Sequence, residues 1–341
     1  MTLHCDDVLK TQVAALLGGG ALKIERLPTS GNNRLYIIDS GKDRFVAKHY
    51  FAHAEDKRDR LHAEYSFVTF ARRNGIDCVP RPIACDANNH LAIYSLVEGR
   101  KFGKTDVTKS AISAALGFLA AINKYRDKVG KDLPDAAEAC FSIAAHVDLV
   151  ENRIRRLSAI TEVCVGAFVK EELVPGWENI KKVISSRVGA KGMQADAVLP
   201  QRDRIISPSD FGFHNCLIGE GGVFNFLDFE YAGWDDPAKT AGDFFSHLAL
   251  PVPVDHLGVF ARGIADLTSD PVQTRLRIGL LLPLYRIKWC CIALNDFLPM
   301  DSERRKFAGI DVDEAKDAQL AKARGLLVSM ERLTEASHGL H

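Results

Sequence analysis

The chain has 341 residues, of which 47% are hydrophobic and 26% are charged. These values are ordinary for a globular protein, and the length suits one large domain or two smaller ones. The 44 Lys and Arg residues equal the 44 Asp and Glu residues in number, so no net field attracts nucleic acid or an anionic membrane.

The cysteines and the apolar stretches indicate a cytoplasmic protein. The eight cysteines form no Cys-x-x-Cys pair, which argues against a zinc ribbon or a redox motif and favours free thiols. The first residues, MTLHCDDVLK, lack the basic and apolar regions of a secretory signal. The most apolar stretch, 278–294, is interrupted by Arg286 and Lys288 and predicts a buried helix rather than a membrane anchor.

The first part of the chain shows strand patterns. Within residues 21–50, three apolar runs are separated by the turn-rich segments PTSGNN and SGK, which predicts a three-stranded antiparallel meander. Residues 53–73 follow a helical pattern. Residues 90–97 predict a further strand.

Helical patterns dominate the rest of the chain. They cover about 104–190, including one long run at 146–173, and resume towards the C-terminus. Between them, residues 216–229 form two apolar runs around Gly219-Glu220-Gly221-Gly222, which predicts a hairpin. The sequence therefore predicts a small sheet-rich part that joins a larger helical part near Glu98-Gly99.

Lys48 and Glu64 are the first candidate functional residues. Val46 and Lys48 share one strand face because side chains alternate with a period of two, so Lys48 could hold phosphate oxygens while Val46 covers a flat base. Glu64 interrupts the apolar stripe of the next helix, where a carboxylate needs a cation or several donors. Lys48 is a candidate partner because the helix directly follows its strand. The alternatives are a solvent-facing lysine and a capping or surface glutamate at the edge of the stripe.

The turn Ser30-Gly31-Asn32-Asn33 joins the first two predicted strands. Its backbone N–H groups could meet phosphates, and Gly and Asn tolerate positive φ. The chain has no G-x-G-x-x-G and no Walker lysine, so a plain hairpin turn is the other interpretation.

A group of polar residues surrounds the predicted hairpin. Asn215 follows Asp210 by five positions, and Asp228 stands where the hairpin ends. Phosphoryl transfer from ATP requires metal ions held by side-chain oxygens and a carboxylate beside the attacking hydroxyl. These residues supply that set. The letters Asp-Phe-Gly at 210–212 imitate a kinase magnesium motif, but no base with an asparagine at +5 lies in 190–209, so Asp228 is the better metal ligand and Asp210 the better base.

Taken together, these residues resemble the aminoglycoside phosphotransferase and choline kinase-like family, whose fold is a variant of the protein kinase fold. The resemblance covers most of the chain. It implies an α+β, two-lobed protein kinase-like fold with a small antiparallel-sheet N-lobe and a larger helical C-lobe. The expected lobes are a nucleotide-binding lobe at 1–98 and a catalytic and acceptor-binding lobe at 99–341.

The resemblance also implies Mg²⁺-dependent transfer of the ATP γ-phosphoryl group to a hydroxyl of a small molecule. Asp210 would take the hydroxyl proton, and Asn215 and Asp228 would hold the metal. The residues expected to bind ATP are Ser30, Gly31, Asn32, Val46, Lys48, Glu64, Ser95, Leu96 and Val97.

The loop around Asp210 departs from the family pattern His-Gly-Asp-Leu-His-Pro-Gly-Asn. Pro208 and Ser209 replace the first His and the Gly, Gly212 replaces the second His, and Phe213-His214 stand in place of Pro-Gly. His214 is either a tuned acid/base or a loop histidine with a structural hydrogen bond. The departures motivate an alternative, a catalytically inactive nucleotide-binding pseudokinase or interaction module of the same fold.

The acceptor stays open between an aminoglycoside, an amino alcohol and a sugar-like compound. Residues 226–256 carry six carboxylates against the single Lys239, which would suit a cationic acceptor. However, Asp228 is assigned to metal, and Asp236 and Asp243 could cap the helix that follows Pro237. The sequence does not predict an oligomeric state.

Overall fold

The computed structural model describes residues 5–20, 22–28, 33–53, 56, 58–130, 132–298, 307 and 316–340. Within this part of the chain, an antiparallel sheet precedes a mostly helical remainder, as the sequence predicts. The division into lobes at residue 98 stays a prediction.

The N-terminal sheet has five strands. They are β1 Lys23–Leu27, β2 Arg34–Asp39, β3 Arg44–His49, β4 Pro82–Asp86 and β5 Leu91–Ser95. The order is β1-β2-β3-β5-β4, and every neighbouring pair is antiparallel. The first three strands form the predicted meander, and the register of central β3 places Lys48 opposite Ala92 of β5.

Different helices cover the two faces of this sheet, because successive side chains of β3 point to opposite sides. Helix α1 (Cys5–Leu16) packs against the face that carries Ala47. Helix α2 (Arg60–Arg73) covers the face that carries Lys48. Lys48 therefore points into the interior.

Helix α2 begins later than its sequence pattern indicates. The pattern extends from residue 53, but the helix starts at Arg60, where the Asp59 carboxylate accepts the N–H of His62 at 2.9 Å. Just before the helix, Asp56 binds the guanidinium groups of Arg58 and Arg60 at 2.7 and 2.6 Å. These contacts hold the chain outside the helix, and periodicity alone does not reveal them.

The remaining helices form the larger part of the fold. They are α3 Lys109–Asn123, α4 Ile143–Leu157, α5 Val163–Phe168, α6 Val174–Ala190, α7 Pro237–Ser246, α8 Leu257–Ala265, α9 Pro271–Ala293, α10 Lys316–Val328 and α11 Met330–His338. The continuous run predicted at 146–173 is wrong, because α4 ends at Leu157 and α5 starts at Val163. The pattern hides the break because both segments bury apolar residues in the same core.

Helix α9 runs through the middle of this core. Within the described part of the chain, the segment Pro271–Phe297 is long and apolar enough to cross a membrane, but 89% of its most apolar window is buried inside the protein. The helix packs against α4, α6, α7, α8, α10 and α11. The prediction of a buried helix at 278–294 is confirmed.

Two small sheets hold the loops that carry Asp210 and Asp228. One contains β6 Arg100–Lys101, β8 Cys216–Ile218 and β9 Phe224–Phe226; the other pairs β7 Ile205–Ser207 with β10 Gly233–Asp235. Strands β8 and β9 form the predicted hairpin, whose turn needs the positive φ of 69° at Gly221. Asp210 follows β7, and Asp228 follows β9.

Candidate active site

Lys48 and Glu64 form a buried ion pair. Lys48 is only 6% exposed, and its Nζ lies 2.6 Å from Glu64 Oε2. The Tyr50 hydroxyl donates to the same Glu64 oxygen at 2.8 Å. The predicted pair is therefore present, and neither residue is solvent-facing. A second donor on Glu64 fixes the carboxylate, which in turn fixes the lysine.

Two more carboxylates face Lys48. Its Nζ hydrogen-bonds to Asp228 Oδ1 and lies 4.0 Å from Glu230 Oε2. Burial alone would lower the pKa of Lys48, but Asp228, Glu64 and Glu230 together raise it well above its ordinary value. The lysine therefore stays charged and draws β3, α2 and the segment after β9 to one point.

Asp228 combines an uncommon backbone conformation with exposure. Its φ of 63° is in the left-handed region, which few residues other than Gly, Asn and Asp adopt. Burial raises the pKa of Asp228 to about 7, with Lys48 opposing the rise and Glu230 and Glu64 adding to it. Its side chain is nevertheless 40% exposed. A carboxylate that is crowded by others and open to solvent is suited to receive a cation.

The end of the first hairpin turn reaches the same cluster. Ser30, Gly31 and Asn32, the predicted phosphate loop, lie outside the described residues. Asn33 is buried; its side-chain amide donates to Glu230, and its oxygen accepts the N–H of Phe51 at 3.2 Å. Glu230 belongs to no motif that sequence reasoning singled out, and it joins this turn to the Lys48 cluster.

Two backbone N–H groups of the predicted hinge donate hydrogen bonds within the protein. The N–H of Ser95 donates to the Arg81 carbonyl at 2.9 Å, and the N–H of Leu96 donates to the Arg44 carbonyl at 3.3 Å. Ser95 also accepts the N–H of Arg81 on its hydroxyl at 2.9 Å. These contacts fix the start of the hinge, and they leave the Val97 N–H as the amide of this segment without such a bond in the described structure.

Asn215 connects the loop of Asp210 to the segment of Asp228. Its side-chain Nδ2 donates to the backbone carbonyl of Asp210 at 3.1 Å, and its backbone carbonyl accepts the N–H of Leu227 at 2.9 Å. Because Nδ2 must be the donor to a carbonyl, the amide oxygen of Asn215 is the atom that remains for a cation. The three residues predicted to act together therefore lie in adjoining loops.

Ser209 shows how the loop tolerates one departure from the family pattern. Its φ of 65° is in the left-handed region, where glycine is favoured. The Ser207 hydroxyl accepts the N–H of Ser209 at 3.0 Å, and the Ser209 hydroxyl accepts from Lys239 Nζ at 2.6 Å. These bonds hold a serine in a conformation that glycine adopts freely.

Two histidines flank the Asp210 carboxylate. Oδ1 of Asp210 lies 3.6 Å from Nε2 of His214 and 3.3 Å from Nε2 of His247, and the two imidazole rings stack at 3.5 Å. Burial alone would raise the pKa of Asp210, but His214 and His247 lower it well below its ordinary value. The carboxylate is therefore ionised.

The structural hydrogen bond considered for His214 is absent, since neither of its ring nitrogens has a hydrogen-bond partner among the described residues. Gly212 makes room for this ring: a Cβ at position 212 would lie 2.7 Å from His214 Nδ1. Sequence reasoning missed His247 altogether, because it follows a different helix and has no spacing signal that relates it to Asp210.

The acidic residues after Asp228 are committed to internal partners. Asp236 caps α7 by accepting the N–H of Ala238 at 2.7 Å, as expected, and binds Arg277. The expectation that Asp243 is a cap is wrong, since it lies inside α7 and contacts Lys288 and Lys239 at 2.8 and 3.3 Å. This acidity is therefore mainly structural.

Comparison with known proteins places the chain. A family model described as the phosphotransferase enzyme family matches residues 23–275. The chain belongs to the phosphotransferase enzyme family. The matched segment runs from β1 into α9 and contains every described site residue discussed above. Family membership confirms the prediction that the protein is a phosphotransferase. A comparison with curated protein sequences gives no match.

Solved structures show the same fold at low identity. Spectinomycin phosphotransferase APH(9)-Ia, in complex with ADP and spectinomycin, is 13% identical with a TM-score of 0.60, over 96% of this chain and 98% of that chain. Choline kinase LicA from Streptococcus pneumoniae is 15% identical with a TM-score of 0.55, over 96% of this chain and 100% of that chain.

The amicoumacin kinase hAmiN, in complex with AMP-PNP, Ca²⁺ and Ami, is 12% identical with a TM-score of 0.61. That match covers 99% of this chain and 98% of that chain. These likenesses confirm the predicted two-lobed, kinase-like fold.

Proposed function

We propose that this protein transfers the γ-phosphoryl group of ATP to a hydroxyl group of a small molecule, with Mg²⁺ as the required metal. One observation carries the proposal. A continuous path of contacts runs from the Lys48–Glu64 pair to Asp228, and from the adjacent Leu227 through Asn215 to Asp210. In this proposal, the phosphate-binding cation, the two oxygen ligands and the base lie along that path.

The donor set fits Mg²⁺. The carboxylate of Asp228 and the amide oxygen of Asn215 are hard oxygen donors of the kind that Mg²⁺ prefers. Asp228 is also partly exposed and faces other carboxylates. When bound, the metal would be held by Asp228 and Asn215 and would supply positive charge against the phosphates.

The side chains have separate tasks in the proposed reaction. Lys48, oriented by Glu64, holds phosphate oxygens of ATP. Val46, which shares the strand face of Lys48, covers the adenine ring, and the hinge amide of Val97 supports its edge. Asp210, which is ionised, orients the acceptor hydroxyl and accepts its proton as the oxygen attacks the γ-phosphorus.

The choice of ATP draws support from structural relatives. The spectinomycin phosphotransferase was solved with ADP and the amicoumacin kinase with AMP-PNP. Ser30, Gly31 and Asn32, which lie outside the described residues, are proposed to bind the phosphates on the sequence alone.

The acceptor is proposed to be an aminoglycoside, an amino alcohol or a sugar-like compound. The relatives named above act on compounds of more than one kind, and the carboxylates Asp235, Asp236 and Asp243 are paired with internal cations. They therefore give no preference for a cationic acceptor, and a neutral polyol belongs in the same test panel.

The test is ATP consumption with Mg²⁺ across such an acceptor panel. We expect turnover with at least one acceptor, and a loss of a thousandfold or more in Asp210→Asn, because the amide keeps the shape but cannot take a proton. Asp255→Asn is the matched control, since this carboxylate is 76% exposed and contacts only Arg332 at 3.3 Å among the described residues; it should retain wild-type turnover.

Two results would speak against the proposal. Wild-type turnover in Asp210→Asn would contradict the assignment of Asp210 as the catalytic base. Thermal stabilisation by MgATP without turnover on any acceptor, and without slow ATP hydrolysis, would favour the inactive nucleotide-binding alternative.

A further inference from the structure

His247 lies directly after the last residue of α7 and faces the Asp210 carboxylate. Its Nε2 is 3.3 Å from Asp210 Oδ1. The pair is an ion-pair contact that lacks the alignment of a formed hydrogen bond, and catalytic contacts are often long or poorly aligned before the substrate binds. The side chain is only 11% exposed, so water does not replace this contact freely.

The protonation pattern of His247 follows from its other nitrogen. The backbone N–H of Ala249 donates to Nδ1 at 3.1 Å. A backbone N–H can only donate, so Nδ1 must carry its lone pair and the neutral ring must carry its proton on Nε2. The atom that faces Asp210 is therefore a fixed donor.

The ring is also held on both sides. His214 stacks on one face with an interplanar angle of 8°, and the Trp289 ring meets His247 edge-on at 4.3 Å. Trp289 is itself fixed, because its indole N–H donates to Asp243 at 2.8 Å. These contacts leave the imidazole little freedom to turn its Nε2 away from the carboxylate.

A bound metal ion is the other interpretation of Asp210, His214 and His247, since their ligand atoms all lie within 4.8 Å of one another. The geometry argues against it. Stacked parallel rings direct their in-plane nitrogen lone pairs side by side rather than towards one point. In addition, Nε2 of His247 carries a proton while Ala249 occupies Nδ1.

We infer that His247 is a positioning residue for the catalytic base. It donates its Nε2 proton to Oδ1 of Asp210, which fixes the carboxylate plane and leaves Oδ2 to accept the proton of the acceptor hydroxyl. This inference rests on the proposed function, in which Asp210 is the base. It assigns a role to a residue that lies outside the family's catalytic loop.

The test compares His247→Leu with His247→Gln in steady-state kinetics, using MgATP with the best acceptor of the panel, or MgATP hydrolysis by water if no acceptor responds. Leu keeps much of the bulk but has no donor. Gln offers an amide N–H towards Asp210 and an amide oxygen towards the Ala249 N–H. We expect kcat to fall 10- to 100-fold in the Leu variant, while the Gln variant stays within about threefold of wild type.

Two further readouts separate positioning from folding. The KM for ATP should stay within about twofold in both variants, and both should show the wild-type thermal stabilisation by MgATP. A wild-type kcat in His247→Leu would overturn the inference. Equal losses in the Leu and Gln variants, with a raised KM for ATP, would also overturn it, because they would mean that the ring only supports the fold.

Asp210→Asn, measured in the same assay, distinguishes this inference from the proposed function. Wild-type turnover in Asp210→Asn would end the proposed function itself. A loss of turnover in Asp210→Asn together with wild-type turnover in His247→Leu would end only the positioning role.

Discussion

Two buried charge clusters in this protein use the same residue types in opposite ways. In the cleft cluster, Lys48 contacts the three carboxylates of Glu64, Asp228 and Glu230, and Asp228 opens to solvent. In the core network, cations and carboxylates match in number. Its members are Lys239, Lys288, Arg153, Asp235, Asp243 and Glu138.

The difference is clearest between Glu138 and Asp228, because burial also raises the pKa of Asp235 in the core network to about 6, with Lys239 opposing the rise. In the core network, burial alone would raise the pKa of Glu138, but Arg153, Lys288 and Lys239 lower it to about 2. In the cleft cluster, burial raises the pKa of Asp228 to about 7 despite Lys48, with Glu230 and Glu64 adding to the rise. Glu138 is therefore neutralised by its protein neighbours, whereas Asp228 lies among carboxylates that outnumber Lys48 and is suited to an external cation.

The largest effect is expected from a substitution of Asp228, the exposed member of the cleft cluster. Asp228→Asn should lower turnover a thousandfold or more and abolish the thermal stabilisation that ATP gives in the presence of Mg²⁺, because an amide is a weaker ligand for the metal. Steady-state kinetics and thermal unfolding check this. Asp77→Asn, a 78% exposed carboxylate that contacts Arg72, is the matched control. Unchanged turnover in Asp228→Asn would remove Asp228 from the metal site.

Substitutions in the core network should instead lower the stability of the fold. Lys239→Met leaves Asp235 and Asp243 without their shared cation and should cost about 3–5 kcal/mol of unfolding free energy. Lys48→Met should cost less stability, because Tyr50 still donates to Glu64 and Asp228 meets solvent, but should lower turnover about a hundredfold. Urea unfolding of both variants measures the two stability losses. A larger loss in Lys48→Met than in Lys239→Met would contradict this prediction.

The pH dependence of stability sharpens the comparison at Glu138. Its folded pKa of about 2 is below its ordinary value, so its stabilisation is present above about pH 4.5 and is lost as the pH falls towards 2. The unfolding free energy of the wild type should exceed that of Glu138→Gln by up to about 3 kcal/mol at pH 6, and this difference should decrease between pH 5 and pH 3. Urea titrations at several pH values measure it; a pH-independent difference would deny that the charge of Glu138 matters.

The smallest expected effect is at Ser209, where the core network contacts the loop that carries Asp210. Ser209→Ala keeps the left-handed backbone but loses the hydroxyl that accepts from Lys239, whereas Ser209→Gly loses the hydroxyl and relieves the backbone. The Gly variant should therefore be more stable than the Ala variant by about 1 kcal/mol. Chemical unfolding of the two variants measures this, and equal stabilities would mean that position 209 carries no backbone strain.

Local periodicity predicted much of the fold and the first half of the site. A period of two places Val46 and Lys48 on one face, the helical stripe of α2 buries Glu64, and the hairpin returns Asp228 to the neighbourhood of Asn215. Each of these follows from residues within one element or between neighbouring elements, where spacing determines direction.

The contacts that complete the site join distant parts of the chain. His247 meets Asp210 only because α7 packs against the core, and Glu230 meets Asn33 only because the segment after β9 lies against the start of β2. No spacing in one sequence encodes such pairs. The left-handed conformation of Ser209 was likewise not predictable, because it accompanies contacts with Ser207 and Lys239 that only the folded chain forms.

The most direct measurement is ³¹P NMR of the products formed from MgATP and an acceptor. We predict that the wild-type protein yields ADP together with a new phosphomonoester on the acceptor, and that Asp210→Asn yields neither under the same conditions. The same phosphomonoester from Asp210→Asn, or no phosphorylated product from the wild-type protein with any acceptor, would contradict the assignment of this cleft.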